Sequence, residues 1–201
     1  MPNTPPQARE AVMIVSGLPR SGTSMAMRML AAAGIPLLTD ALRPPDEDNP
    51  LGYFELEAVK KTRDDPSWLA DAPGKAVKVI HALLQCLPPT HHYRIIFMHR
   101  DLDEVLASQR RMLERSGRLG ASMPPEALKR VFASQLQSAR RWAETQPNCA
   151  CLDVHYHEVI HAPAAQAARM ASFAGIPDKA AEMAAAVDAS LYRRRRQVPG
   201  Q

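Results

Sequence analysis

Apolar residues in this chain fall into short unbroken runs, separated by stretches with a helical period. "AVMIVSG" at 11–17 is one such run, β-rich and closed by glycine. A run with no polar face predicts a strand buried on both sides, as in a parallel sheet. "AVKVI" at 76–80 and "RIIFM" at 94–98 predict two more strands, and "ACLDVHY" at 150–156 is a fourth candidate. Between the first two lies "TSMAMRMLAAA", from Thr23 to Ala33, whose alanine, methionine and leucine favour helix. Gly34 and Pro36 stop it. "DLDEVLASQRRMLERSG" predicts a helix with Asp101 as N-cap and with Asp103 and Glu104 in its positive first turn. Leu102, Val105, Leu106, Gln109 and Leu113 share one stripe, which predicts a face packed on the sheet. Residues 126–146 read as a long amphipathic helix, and "APAAQAARMASFAGIP" and "DKAAEMAAAVDASLY" as two late helices.

Strands alternating with helices imply an α/β fold whose parallel sheet is covered on both faces. The pattern shows no internal boundary, so residues 11–192 are expected to form a single domain. Residues 1–10 are expected to be a loose tail and 193–201 a basic one. Two connections stand out: 39–56, rich in Pro, Asp and Gly, and 117–125. A loop as long as the first is usually functional or disordered.

Composition narrows the partners. The chain has 201 residues and a net charge of +4, which favours an anionic ligand without naming it. Aromatic residues are only 5%, too few for base stacking, so no nucleic-acid partner is expected. Three cysteines, an odd count, argue against a disulfide framework and for a reducing, cytoplasmic setting. The N-terminus lacks the apolar core of a signal peptide, and no run is long enough to span a membrane.

The chemistry begins at "GLPRSGTS", Gly17 to Ser24, between the first strand and the first helix. Loop amides at a helix start form an anion-binding cradle. The spacing matches an ATP-binding loop except that Thr23 replaces the lysine. Arg20 offers a cation from another position, with a planar fork suited to phosphate or sulfate oxygens. No acidic partner for a metal is evident beside the loop, and no metal is expected. Cys149, Cys151, Asp153, His155 and His157 alternate as a strand face would, but lack the spacing of a zinc site. A second informative stretch, "FMHRDLDEVLAS", puts Arg100 where strand meets helix and Ser108 about two turns further on. Ligands of an open parallel sheet gather at its carboxyl edge, so both stretches can face one crevice.

Together these stretches resemble the sulfotransferases that use 3′-phosphoadenosine 5′-phosphosulfate (PAPS), above all the small bacterial ones. "PRSGTS", "NPLGYFE" and "EVLASQ" carry the likeness, from about residue 11 to 160. The resemblance implies a P-loop-type three-layer αβα sandwich with a central, mostly parallel sheet. It implies that Pro19, Arg20, Ser21, Gly22, Thr23 and Ser24 hold the 5′-phosphosulfate and that Arg100 and Ser108 hold the 3′-phosphate. Tyr156 would lie near adenine, and adenosine 3′,5′-bisphosphate (PAP) would be the product. Arg193–Arg196 fall where many relatives carry a further basic segment, but the glycine-containing motif is absent and a solvated tail is the favoured reading.

Sulfuryl transfer to a hydroxyl, or as second choice an amine, needs a cation at the departing oxygen and a general base. Arg20 is the candidate cation. Glu55 is the first choice of base, with Asp40 and His81 as alternatives; a histidine starting a helix is the favoured view of His81. Asp46, Glu47 and Asp48 read as solvated charge. The acceptor is expected to be a small molecule, and a homodimer or partner could complete its pocket. Two other readings stay open: a non-catalytic nucleotide-binding module of the same fold, and a divergent nucleotide kinase or NTPase.

Overall fold

In the computed structural model, four parallel strands form one sheet in the order β2-β1-β3-β4. They are β1 (Val12–Gly17), β2 (Ala76–Lys78), β3 (Tyr93–His99) and β4 (Cys149–His155). The structure describes residues 10–40, 42–47, 49–115, 117, 123–188 and 190. The helices are α1 (Thr23–Ala32), α2 (Leu102–Arg115), α3 (Pro125–Thr145), α4 (Tyr156–His161), α5 (Pro163–Ala174) and α6 (Ala180–Ala185). The tail 1–9 and the Arg193–Arg196 run lie outside the described residues.

β1 is buried at every position, as its unbroken apolar run requires. Its alternate side chains feed two cores. Met13 and Val15 join Ile96, Met98 and Val154 under α1, α4, α5 and α6. Val12 and Ile14 join Val77, Ile95 and Phe97 under α3 and the short 3-10 turn Ser67–Asp71. The result is the α/β, three-layer arrangement that the alternation of strands and helices predicts.

Register sets the position of the site. Gly17 pairs with Met98, and His99 pairs with His155. The loop after β1, Arg100 after β3 and Tyr156 after β4 therefore emerge along one carboxyl edge. The chain passes from β1 outward to β2 on one side and from β3 outward to β4 on the other, so the connections after β1 and β3 leave in opposite directions and open a crevice between their ends.

Several local expectations need correction. β2 is only three residues long, and a 3-10 turn, His81–Cys86, begins soon after it. On α2, only Val105 of the expected apolar stripe is fully buried; Glu104 and Ser108 are the other buried side chains. That helix turns its most buried face toward the loop after β1. Asp101 caps it as expected, its Oδ1 accepting the N–H groups of Asp103 (2.9 Å) and Glu104 (3.1 Å). Of the expected last helix, 178–192, residues 189, 191 and 192 lie outside the described residues. The described ones form the end of a 3-10 turn, Pro177–Lys179, and then α6, capped at Ala186, and Asp188 Oδ1 accepts the Ser190 N–H (2.9 Å) and hydroxyl (2.6 Å). Such a local side-chain turn competes with the helical bond.

The alternating Cys149–His157 set divides. Cys149 and Cys151 pack toward α3, and burial pushes their thiols up to about 11 and about 12. Asp153 binds Arg140 (2.9 Å) and His99 (2.7 Å). His155 stacks on His99, and His157 lies in α4 against His161. Among the described residues no group of three His, Cys, Asp or Glu is placed to hold a metal, and no helix is long and apolar enough to cross a membrane.

Candidate active site: a cationic cleft above the first strand

The loop after β1 needs both its glycines. Gly17 has φ +142°, and a Cβ there would lie 2.6 Å from the Met98 carbonyl oxygen. Gly22 has φ +102°, and a Cβ there would lie 2.4 Å from Tyr156 Cδ2. Arg20 between them holds φ +76°, a left-handed conformation that non-glycine residues adopt at a cost of about 1–2 kcal/mol.

From that backbone Arg20 reaches Ser108, its Nε donating to Oγ at 2.9 Å across 88 positions of sequence. Arg100 closes the same corner: Nη1 donates to the Arg20 carbonyl at 3.2 Å, and Nε donates to Glu104 Oε2 at 2.8 Å. Its guanidinium lies 4.4 Å from the Tyr156 ring centroid, a cation–π contact. The Ser21 hydroxyl is buried beneath the loop and has no hydrogen-bond partner among the described residues.

The opposite wall comes from the 39–56 connection and β2. Ser24 Oγ accepts from Asn49 Nδ2 (2.8 Å) and from Lys78 Nζ (3.0 Å), and Lys78 also donates to the Tyr53 carbonyl. Burial pulls the Lys78 ammonium down to about 8, with Glu55 acting the other way. Arg43 pairs with Glu55 at 3.2 Å and stacks over the Tyr53 ring at 3.4 Å. The Tyr53 hydroxyl donates to Asp46 at 2.8 Å, and burial with that bond pushes it up to about 12.

The cleft has a volume of about 240 Å3 and is lined by Pro19, Arg20, Gly22, Thr23, Ser24, Arg100, Ser108, Tyr156 and Glu55. Two expected candidates lie elsewhere. Asp40 faces a neighbouring recess of about 800 Å3, and its carboxylate accepts the N–H groups of Glu57 (2.5 Å) and Leu42 (3.1 Å). His81 is buried outside the cleft, with Nδ1 3.3 Å from the Gly17 carbonyl and Nε2 3.1 Å from the Gln135 amide oxygen. Glu55 lines both the cleft and the recess. Asp46 and Glu47 are exposed, as the solvated reading expects; Asp46 also accepts from Tyr53, and Glu47 forms a surface pair with Arg115 at 3.5 Å. Asp48 lies outside the described residues.

Sequence reasoning missed Lys78, Arg43, Asn49 and Tyr53. Lys78 ends β2 at the carboxyl edge, a position where strand topology alone flags a charged residue. Asn49 and Tyr53 belong to the same "NPLGYFE" stretch as Glu55.

A parallel sheet whose inner strand runs into a glycine-bounded cationic loop defines an α/β protein whose loop geometry suits anions. Residues 47–180 match the model of the sulfotransferase family, well over half of the chain, and the protein belongs to that family. Two solved structures share its fold. One is a sulfotransferase domain from the curacin biosynthetic pathway, 15% identical, with TM-score 0.52, covering 90% of this chain and 89% of that one. The other is retinol dehydratase in complex with androsterone and the inactive cofactor PAP, 16% identical, with TM-score 0.50. That alignment covers 86% of this chain, which spans 63% of the retinol dehydratase chain. No curated protein sequence matches this one.

Proposed function

We propose that this protein transfers a sulfuryl group from PAPS to a hydroxyl of a small-molecule acceptor. The observation that carries the reading is the Arg20–Ser108 contact at 2.9 Å, with Arg100 on the Arg20 carbonyl at 3.2 Å. Two cationic motifs 80 residues apart in sequence meet in one cleft. A ligand with anionic groups at both ends uses both, whereas AMP lacks the second anion.

The residues fit such a donor. The loop amides, Arg20, Thr23 and Ser24 would hold the 5′ end, with Lys78 on its far side; Ser21, buried beneath the loop, does not line the cleft. Arg100 and Ser108 would hold the 3′-phosphate, and Tyr156 would lie along the nucleoside. PAP in the similar retinol dehydratase structure supports this donor class, and androsterone there supports a small-molecule acceptor. The donor brings the group to be transferred and a bisphosphate leaving group. This chain's part is to orient both ends, to place cations where negative charge grows, and to accept a proton from the acceptor. Arg20 and Lys78 supply the charge. Glu55 is the base, because it alone of the three candidates lines the cleft, and it also lines the recess beside it, with Arg43 holding its carboxylate at 3.2 Å; Asp40 and His81 do not line the cleft.

The test is a pair of measurements on the purified chain. PAP should raise the melting temperature more than AMP does, and labelled sulfate should pass from PAPS to members of a hydroxyl-bearing acceptor panel. Equal shifts for PAP and AMP would overturn the donor assignment. Normal PAP binding without transfer would favour the non-catalytic reading.

A further inference from the structure

The transfer chemistry makes no use of His81, yet its ring is buried and matched at both nitrogens. It is 5% exposed and begins the 3-10 turn His81–Cys86. Its chain neighbours Val79 and Ile80 line the cleft, whereas His81 lies behind it. A polar ring shut inside a fold is costly unless its nitrogens find partners. Nδ1 lies 3.3 Å from the Gly17 carbonyl oxygen, and Nε2 lies 3.1 Å from the side-chain amide of Gln135 on α3. A carbonyl oxygen only accepts, so Nδ1 carries a proton and donates. The Gln135 amide holds both a donor and an acceptor, and it serves Nε2 whether the ring is neutral or charged.

The carbonyl that His81 reaches opens the anion-binding loop. Gly17 is the last residue of β1, with φ +142°. Glycine lets the peptide plane that follows it swing more freely than any other residue would, so an outside tie has something to hold. The Gly17 oxygen and the Leu18 N–H belong to that one planar, trans unit and point in opposite directions. Holding the oxygen on His81 therefore turns the Leu18 N–H the other way, and Gly17 and Leu18 both line the cleft. We propose that His81 is a positioning residue of the loop: Nδ1 pins the Gly17 carbonyl outward so that the Leu18 N–H faces the 5′ anion of the donor. This inference rests on the donor reading above, and it gives His81 no part in proton transfer. Charge on the ring is not needed, because Nδ1–H is present in the neutral tautomer and in the imidazolium alike.

The contact can be imitated selectively. An asparagine amide nitrogen stands two bonds from Cβ, as Nδ1 does, and a glutamine amide nitrogen stands three, as Nε2 does. Nitrogen NMR of the unliganded whole chain and calorimetric titration with PAP test the proposal together. The neutral His81 ring should be the Nδ1–H tautomer, and an Nε2–H tautomer overturns the proposal before any ligand is added. PAP affinity should fall about tenfold or more in His81→Leu and in His81→Gln, the contribution of one hydrogen bond to a charged group. It should return to within about threefold of the unmodified protein in His81→Asn, with turnover on PAPS recovering alike. All three variants disturb the packing and should melt lower, so recovery in His81→Asn alone separates positioning from bulk. Equal losses of PAP affinity in His81→Asn and His81→Gln overturn the proposal and leave His81 a packing residue, with the donor assignment standing. Intact PAP binding with a loss of turnover of about 10²-fold or more in His81→Asn also overturns it, and makes His81 the base. If the unmodified chain binds no PAP, the donor assignment fails and this inference fails with it.

Discussion

Replacing Gly22 by alanine probes how tightly the anion-binding loop is seated on Tyr156. The new Cβ would lie 2.4 Å from Tyr156 Cδ2 and 3.1 Å from Cε2, with Met98 Cε at 3.3 Å. Carbon atoms normally rest about 3.5–4.0 Å apart, so the ring must retreat by about an ångström. Tyr156 is 6% exposed, packed in the core below α1, and has little room to do so. Overpacking of this kind costs about 1–3 kcal/mol. The positive φ adds about 1–2 kcal/mol for any residue with a Cβ. Together they predict a loss of about 2–5 kcal/mol, which for a chain of this size lowers the melting temperature by about 5–15 °C. Urea titrations of Gly22→Ala, Tyr156→Leu and the double variant separate the two parts. Tyr156→Leu removes the ring edge that meets the new methyl, so in its background Gly22→Ala should cost only the backbone part. The cycle should give a coupling of about 1–3 kcal/mol. Additivity within about 0.5 kcal/mol would refute the packing argument, because residues that do not touch show no coupling.

Three further outcomes follow from the cleft. Arg100→Gln should lower PAP affinity by about 10–100-fold, the worth of a charge-assisted bond, and abolish the advantage of PAP over AMP in a melting assay; a preserved advantage would remove Arg100 from the 3′-phosphate. Glu55→Gln should lower the turnover number by about 10²–10⁴-fold while leaving PAP binding intact, and a loss of less than tenfold on steady-state kinetics would send the role of base elsewhere. Lys78 has a folded value of about 8, below its ordinary 10.5. The folded protein therefore binds fewer protons than the unfolded chain between those values, so the burial cost of the charged amine is felt below pH 8 and relieved as pH rises from there. Anion binding works in the opposite sense. PAP affinity should be highest below pH 8 and fall as pH rises through it, with proton uptake on binding in calorimetry, and Lys78→Met should flatten that slope.

Much of the fold could be read from local pattern. The unbroken run at 11–17 had to be a strand buried on both faces, and glycines at 17 and 22 had to mark backbone that a side chain would obstruct. Asp101 had to cap the helix after β3, because its neighbours Asp103 and Glu104 complete a start signal. The loop and the Arg100–Ser108 spacing together pointed to the family, since either one alone occurs in many folds. Less legible were features in which two local forces compete. The apolar stripe of α2 predicted contact with the sheet, yet the helix buries Glu104, paired with Arg100 just before the same helix, and Ser108, whose partner Arg20 comes from a distant segment. The last helix looked continuous from 178, yet α6 runs only from Ala180 to Ala185 and is preceded by a 3-10 turn.

What the sequence by itself determined is therefore the period of each segment, the places where only glycine fits, and the kinds of charge available at the sheet's carboxyl edge. Only the tertiary structure decided which of those charges meet. It brought Ser108 to Arg20 and Lys78 and Asn49 to Ser24, left Glu55 in the cleft, and turned Asp40 and His81 away from it. The physical reason is that periodicity records which face of a segment is buried, a property of near neighbours. The convergence of side-chain ends depends on strand register and on the direction in which each connection leaves the sheet. Those are fixed by packing between residues tens of positions apart, and no local pattern carries them.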